Sequence, residues 1–332
     1  MSRFLVVLRG VAVATLMVAL LPAFALAEGQ VEAGGDDYPA REIEVMVPWS
    51  AGGGTDTMFR TFASVVPQYL GTAIIIDNQP GGATVPAYTD ALQREGTGYF
   101  YLAWNNASIT VTHMRETPFD ANSFEPVINL VQAPVVIVVA DDSPYQSLSD
   151  LVEDAEQNPG DVALGNGGHG GGQHIIALAF EDEFGLEFNH VPHDGGGPAV
   201  TAAMGGHIDA AVVGPSEVVS QIQAGDLRCL AVLAEDRLDI LPDQPTAKEQ
   251  GMDFAMTQWR GLAAPLGTPE EYIQHVHDAF KATMEDETFQ TLAAKAGLIL
   301  KYMGPEEFAQ HIQEQDAVFE RLMRRKGLGE KY

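Results

Sequence analysis

One stretch constrains the fold more than any other: residues 43–69, IEVMVPWSAGGGTDTMFRTFASVVPQY. Ile43, Val45, Met46 and Val47 are β-prone and mostly apolar, as in a strand buried in a sheet. Pro48 ends the ladder because it has no N–H to donate. Gly52, Gly53 and Gly54 let the backbone take positive φ and approach another group closely. Thr55 or Asp56 is expected to cap a helix whose apolar positions, Met58, Phe59, Phe62, Val65 and Val66, recur at helical spacing. A helix opening from a glycine loop presents free N–H groups and a partial positive charge, which suits an anion. The same pattern also serves as a plain turn in an α/β fold, so the loop alone assigns nothing.

The pattern repeats. Residues 74–76 read as a strand followed by the loop 79–83, and 99–104 as a strand followed by Asn105, Asn106, Ala107 and Ser108. Such βα units imply a parallel sheet with helices on both faces, and ligands gather at the carboxyl edge of such a sheet. The apolar run 127–140, which holds Pro134, is too long for an average strand and is expected to pass between two domains. Strands are then expected at 162–164, 188–191, 208–213 and 227–233. The first three are followed by the loops 165–172, 192–197 and 214–216, and residues 258–264 look like a second crossing strand. The tail, 269–280, 285–296 and 305–324, reads as helical. Two similar α/β units joined by two crossing strands describe a hinged two-lobe receptor with its glycine loops turned toward a shared cleft.

With 46 acidic and 18 basic residues the formal charge is −28, which repels nucleic acid and anionic lipid and excludes both as partners. Residues 1–27 read as a secretory signal peptide: Arg3 and Arg9, an apolar segment 11–21, then Ala25-Leu26-Ala27 as the cleavage site. Residues 28–39 read as a flexible leader. Cys229 is the single cysteine, so no intrachain disulfide forms.

Catalytic readings find little support. His169-Gly170-Gly171-Gly172 matches an esterase oxyanion loop, and a secreted hydrolase using His169 and Ser216 is the alternative from another class. Its G-x-S-x-G element is missing, since Gly214-Pro215-Ser216-Glu217-Val218 lacks the last glycine. His169, His174, His190, His193 and His207 match no zinc-ligand spacing and read as scattered loop histidines. Neither glycine run is a dinucleotide fingerprint or a P-loop, so no cofactor or metal is expected and the chain is not read as an enzyme.

Together, VPWSAGGGTDTMFR (47–60), DNQPGGA (77–83), GYFYLAW (98–104), PFDANSFEPV (118–127) and LVEDAEQNPGDVALGNGGHGGGQH (151–174) resemble the periplasmic solute receptors of tripartite tricarboxylate transporters, the Bug-type receptors. So do HVPHDGGGPAVTAAMGGHIDAAV (190–212), LRCLAVLAEDR (227–237), LPDQPTAKEQG (241–251), WRGLAAPLGTPEE (259–271) and GPEEF (304–308), in order along nearly all of the mature chain. The resemblance implies an α/β Venus-flytrap fold with one lobe about 40–137 and 256–332 and the other about 138–255. It implies a monomer that captures a small carboxylate, a di- or tricarboxylate or a related organic acid, in the periplasm and delivers it to the membrane permease subunits. A periplasmic sensor handing the ligand to a signalling partner would share fold and site.

The resemblance carries over a ligand-binding set: Ser50, Gly52, Gly53, Thr55 and Asp56; Gly81 and Gly82; Asn105, Asn106 and Ser108; Gly168, His169 and Gly170; His193; and Gly214, Pro215 and Ser216. The chain departs from the family pattern at His193-Asp194, usually tyrosine and lysine, at Thr97, usually aspartate, and at Asn105-Asn106, usually glycine or serine. Its run His169 to Gly172 replaces a usual Gly-x-Gly-Ser. The candidate loops carry no lysine or arginine, and Arg260 is the one basic residue expected nearby. Helix N-termini and loop N–H groups, with hydroxyls such as those of Ser50 and Thr55, are therefore expected to neutralise the ligand's carboxylate.

Overall fold

The computed structural model describes residues 38–328. The signal-peptide reading and nearly all of the leader lie outside the described residues.

The chain builds two mixed sheets. The first contains β1 (Ile43–Val47), β2 (Ile74–Asn78), β3 (Phe100–Asn105), β4 (Phe124–Pro134), β10 (Thr257–Pro265) and β11 (Leu300–Met303), in the order β11-β4-β10-β3-β1-β2. The second contains β5 (Val136–Ala140), β6 (Ala163–Asn166), β7 (Asn189–Pro192), β8 (Ala210–Val213) and β9 (Leu227–Val232), in the order β7-β6-β8-β5-β9. The expected βα units form the parallel part of each sheet: β1 lies parallel to β2 and β3, and β6 parallel to β7 and β8. The rest is antiparallel: β10 against β3 and β4, and β5 against β8 and β9. These strands enter from distant parts of the chain without a crossover helix, so nothing forces the parallel sense.

The long apolar run resolves into two strands. β4 ends at Pro134 in the first sheet, Val135 is fully buried, and β5 begins at Val136 in the second. The return runs beside it: Leu233 N–H donates to Val135 O, Met256 N–H donates to Leu233 O, and β10 starts at Thr257. The expected second crossing strand lies wholly in the first sheet, because the passage is made by the residues just before it.

Burial follows the period of two. β5 sends Ile137 and Val139 into one core and Val136 and Val138 into another, so the second sheet is covered on both faces. In the first sheet Trp104 and Trp259 are fully buried; Trp104 packs edge-on against Tyr88 and Phe124, and Trp259 against Phe308. Trp259 facing this core turns its neighbours Gln258 and Arg260 to the other face of β10, and the register shifts immediately after Arg260.

Candidate ligand-binding site

β1 runs out at Val47, and the glycine loop leads into the helix Gly54–Ala63. The positive φ expected in the loop falls at Gly52, at +82°, whereas Gly53 sits at −75° in extended backbone that any residue adopts. The helix starts two to three residues earlier than expected, with Gly53 rather than Thr55 or Asp56 as its cap and no side chain capping it. Asp56 folds back instead. Its carboxylate accepts from Gly52 N–H at 2.8 Å and from Arg60 Nε at 2.9 Å. Burial raises the Asp56 pKa, but Arg60, the Gly52 amide and Asn78 outweigh it and hold the carboxyl below its ordinary range.

The loop amides were expected to await an anion; several of them have acceptors within the chain. Gly53 N–H donates to Ser50 O and Gly54 N–H to Glu217 Oε1 at 2.8 Å. After β6, Gly167 N–H donates to Gln173 Oε1, Gly168 N–H to Asn166 Oδ1, Gly170 N–H to His174 Nδ1 and Gly171 N–H to Gly168 O. After β8, Gly214 N–H donates to Glu217 Oε2 at 2.7 Å, and Gln173 Nε2 donates to the same oxygen at 2.6 Å. Glu217 thus spans the loops of the two sheets with hydrogen bonds to both.

Side-chain donors without an acceptor gather beside these loops. Asn105 caps the helix Asn106–Met114, accepting from Ala107 N–H while its own N–H donates to Ser108 Oγ. Asn106 Oδ1 accepts from Trp259 N–H at 2.6 Å, leaving Asn106 Nδ2 with no partner. Gln258 Nε2 has none either, and Asn106 and Gln258 are 2% and 5% exposed. Arg260, also 5% exposed, has no salt bridge within 4 Å among the described residues. Burial lowers its pKa, and the Glu217 charge pushes it back up. All three side chains, with Glu217, line a cavity of about 40 Å³ whose wall also includes Trp49, Gly53 and Thr55. Unpaired buried donors are costly, so this wall calls for a ligand rich in acceptors.

The expected site residues divide between two cavities. Gly53, Thr55, Asn105 and Asn106 line the inner one. Gly81, Gly82, Gly168, His169 and His193 line an outer cavity of about 340 Å³, together with Arg115. Trp49 borders both, and a Cβ on Gly168 would lie 3.0 Å from its ring. The others support these walls. Ser50 N–H donates to Asp194 O, Ser108 and Asp56 are spent on the bonds above, and Gly170 faces Met114 Sδ. A Cβ on Gly214 would lie 3.1 Å from Gln258 Nε2, and Pro215 is buried. Ser216 Oγ is buried without a hydrogen-bond partner, so no base is seated to activate it. Glu217, Gln173, Gln258 and Trp49 were absent from the expected set, and Arg260, expected only as a basic residue nearby, lines the cavity.

The histidines are less scattered than the sequence suggested. The rings of His169 and His174 lie 4.9 Å apart, those of His174 and His190 4.8 Å apart, and His190 Nε2 is 3.1 Å from Glu181 Oε1. Among the described residues no group of three or more His, Cys, Asp or Glu side chains is arranged to hold a metal ion.

Residues 58–328 match the family described as the tripartite tricarboxylate transporter family receptor. Protein BugT of Bordetella pertussis is 30% identical over 78% of this chain and 82% of its own length. A TctC solute-binding protein from Polaromonas, solved with no ligand, is 32% identical, covers 87% of this chain and 99% of its own, and superposes with a TM-score of 0.64. MatC from Rhodopseudomonas palustris with bound malate is 25% identical, covers 86% and 99%, and superposes with a TM-score of 0.81. With the two-lobe α/β architecture and the matched span in agreement, the chain belongs to the tripartite tricarboxylate transporter receptor family.

Proposed function

We propose that this receptor captures a small carboxylate between its two lobes, 40–137 with 256–332 and 138–255, and delivers it to the permease subunits of a tripartite transporter. It works in the periplasm as a monomer, after export and loss of residues 1–27. The observation that carries this reading is the buried donor set: Arg260, Gln258 Nε2 and Asn106 Nδ2 face one cavity without acceptors. A guanidinium with neighbouring amides matches the geometry of a carboxylate. Malate in MatC supports the ligand class. The ligand-free Polaromonas protein superposes less well than malate-bound MatC despite its higher identity, which supports lobes that move on binding.

The sequence reading gave the anion chiefly to helix ends; Glu217 takes the amides of Gly54 and Gly214, which favours the guanidinium for that role. A thermal-shift screen of organic acids should find a stabilising carboxylate, since ligand at about a hundred times its Kd adds roughly 2.7 kcal/mol. Titration calorimetry of Arg260→Ala with that acid should then show a loss of about 2–5 kcal/mol. An unchanged affinity would remove Arg260 from the site and leave the reading without its main support.

A further inference from the structure

The proposed function places a carboxylate beside Arg260; the charge of the rest of the wall decides how many carboxylates the ligand has. The amides of Gly54, at the start of the helix Gly54–Ala63, and of Gly214 already hold an anion, the chain's own Glu217, at 2.8 and 2.7 Å, and Gln173 Nε2 adds a third bond at 2.6 Å. The side-chain donors left for the ligand are one cation, Arg260, and two neutral amides, Gln258 Nε2 and Asn106 Nδ2. That set matches the acceptors of a single carboxylate. Glu217 brings a full negative charge to the same cavity. A Cβ on Gly54 would lie 2.9 Å from Arg260 Nη2 and 3.1 Å from Glu217 Oε1, so the two charged groups flank one point. A second ligand carboxylate would meet Glu217 where solvent screening is weak. A volume of about 40 Å³ also holds few atoms, one water needing about 10–15 Å³ on this scale.

We infer that Glu217 is a specificity-determining residue that restricts the receptor to small monocarboxylates, with a hydroxyl or ammonium group turned toward Glu217, and disfavours di- and tricarboxylates. This rests on the carboxylate reading above and narrows it.

The test is calorimetric titration with lactate, malate and citrate, hydroxy acids carrying one, two and three carboxylates. The parent should bind lactate at least about tenfold tighter than malate, and malate tighter than citrate. Glu217→Gln, verified as folded by thermal melting, should shift the malate-to-lactate affinity ratio toward malate by at least about tenfold. Malate or citrate binding the parent as tightly as lactate would overturn the inference and leave the carboxylate receptor intact. So would a ratio unmoved in Glu217→Gln. The parent comparison decides by itself if that variant does not fold. Binding of none of the three, with no acid active in the thermal-shift screen, would overturn both readings.

Discussion

The amide of Gly54 donates to Glu217 Oε1 at 2.8 Å, joining residues 163 positions apart, one after a strand of the first sheet and the other after a strand of the second. Hydrogen bonds to a charged group are each worth roughly 1.5–3 kcal/mol net. Glu217 therefore ties the loops together as well as setting the charge of the cavity.

Gly196 leaves room for this tie, since a Cβ there would lie 2.3 Å from the Glu217 carboxyl carbon. Gly196→Ala should push Glu217 off its three donors and cost about 1–3 kcal/mol in urea unfolding. In a Glu217→Ala background the same substitution should cost much less, because the two changes remove one interaction. Equal costs in both backgrounds would assign the glycine to the turn alone.

Two glycines of the first loop should fail differently. Gly52 has a φ of +82° and nothing within 4 Å of a built Cβ, so Gly52→Ala carries a backbone cost of roughly 1–2 kcal/mol and no collision. At Gly54 the Cβ would meet Arg260 and Glu217. Gly52→Ala should lower the melting temperature and keep carboxylate affinity within about twofold, as ΔΔG there acts on folding alone. Gly54→Ala should weaken binding at least about tenfold, or ~1.4 kcal/mol, by displacing the guanidinium. Calorimetry that finds the two variants equal would show that the loop acts only as a turn.

The alternation of strand, glycine loop and helix was legible because each βα unit is local: its hydrophobic period and its breakers lie within about thirty residues. The direction of β10 was not, since an antiparallel insertion between β3 and β4 leaves no mark on periodicity. Period two places Gln258 and Arg260 on one face of β10, but which face meets the cavity depends on Trp259 packing against Phe308. Nothing in the sequence marks Glu217 out, and only the approach of Gly54 from another sheet gives it a role. The internal pairing of the second loop had a signal that was passed over: Asn166, Gln173 and His174 flank the glycines, and such side chains commonly bond nearby amides.

Gly261 sits where the β10 register shifts, and a Cβ there would lie 2.5 Å from both Ile128 O and the Phe308 ring. A strand carbonyl cannot move aside without loss of its ladder. Gly261→Ala should therefore destabilise by about 1–3 kcal/mol through overpacking. Thermal melting should show a fall of several degrees with ligand affinity kept at the folded temperature. An unchanged melting temperature would mean that β4 and β10 are free to separate there.

The last expectation concerns acid. His174 is 3% exposed, and its Nδ1 accepts from Gly170 N–H at 3.0 Å, so the ring is held neutral at that nitrogen. Burial first, then the neighbouring His190 and His169, lower its pKa well below 6.5. The unfolded chain then binds a proton that the folded chain refuses, and stability falls as pH drops below 6.5 toward the folded value. His169 and His311, lowered chiefly by burial, act in the same sense. His174→Asn removes one of these contributions and keeps an oxygen to accept from Gly170. Its unfolding free energy should decline less steeply than the parent's below pH 6.5, by up to ~1.4 kcal/mol per pH unit. Urea titrations at stepped pH read the difference, and parallel slopes would show that His174 takes up no proton on unfolding in that range.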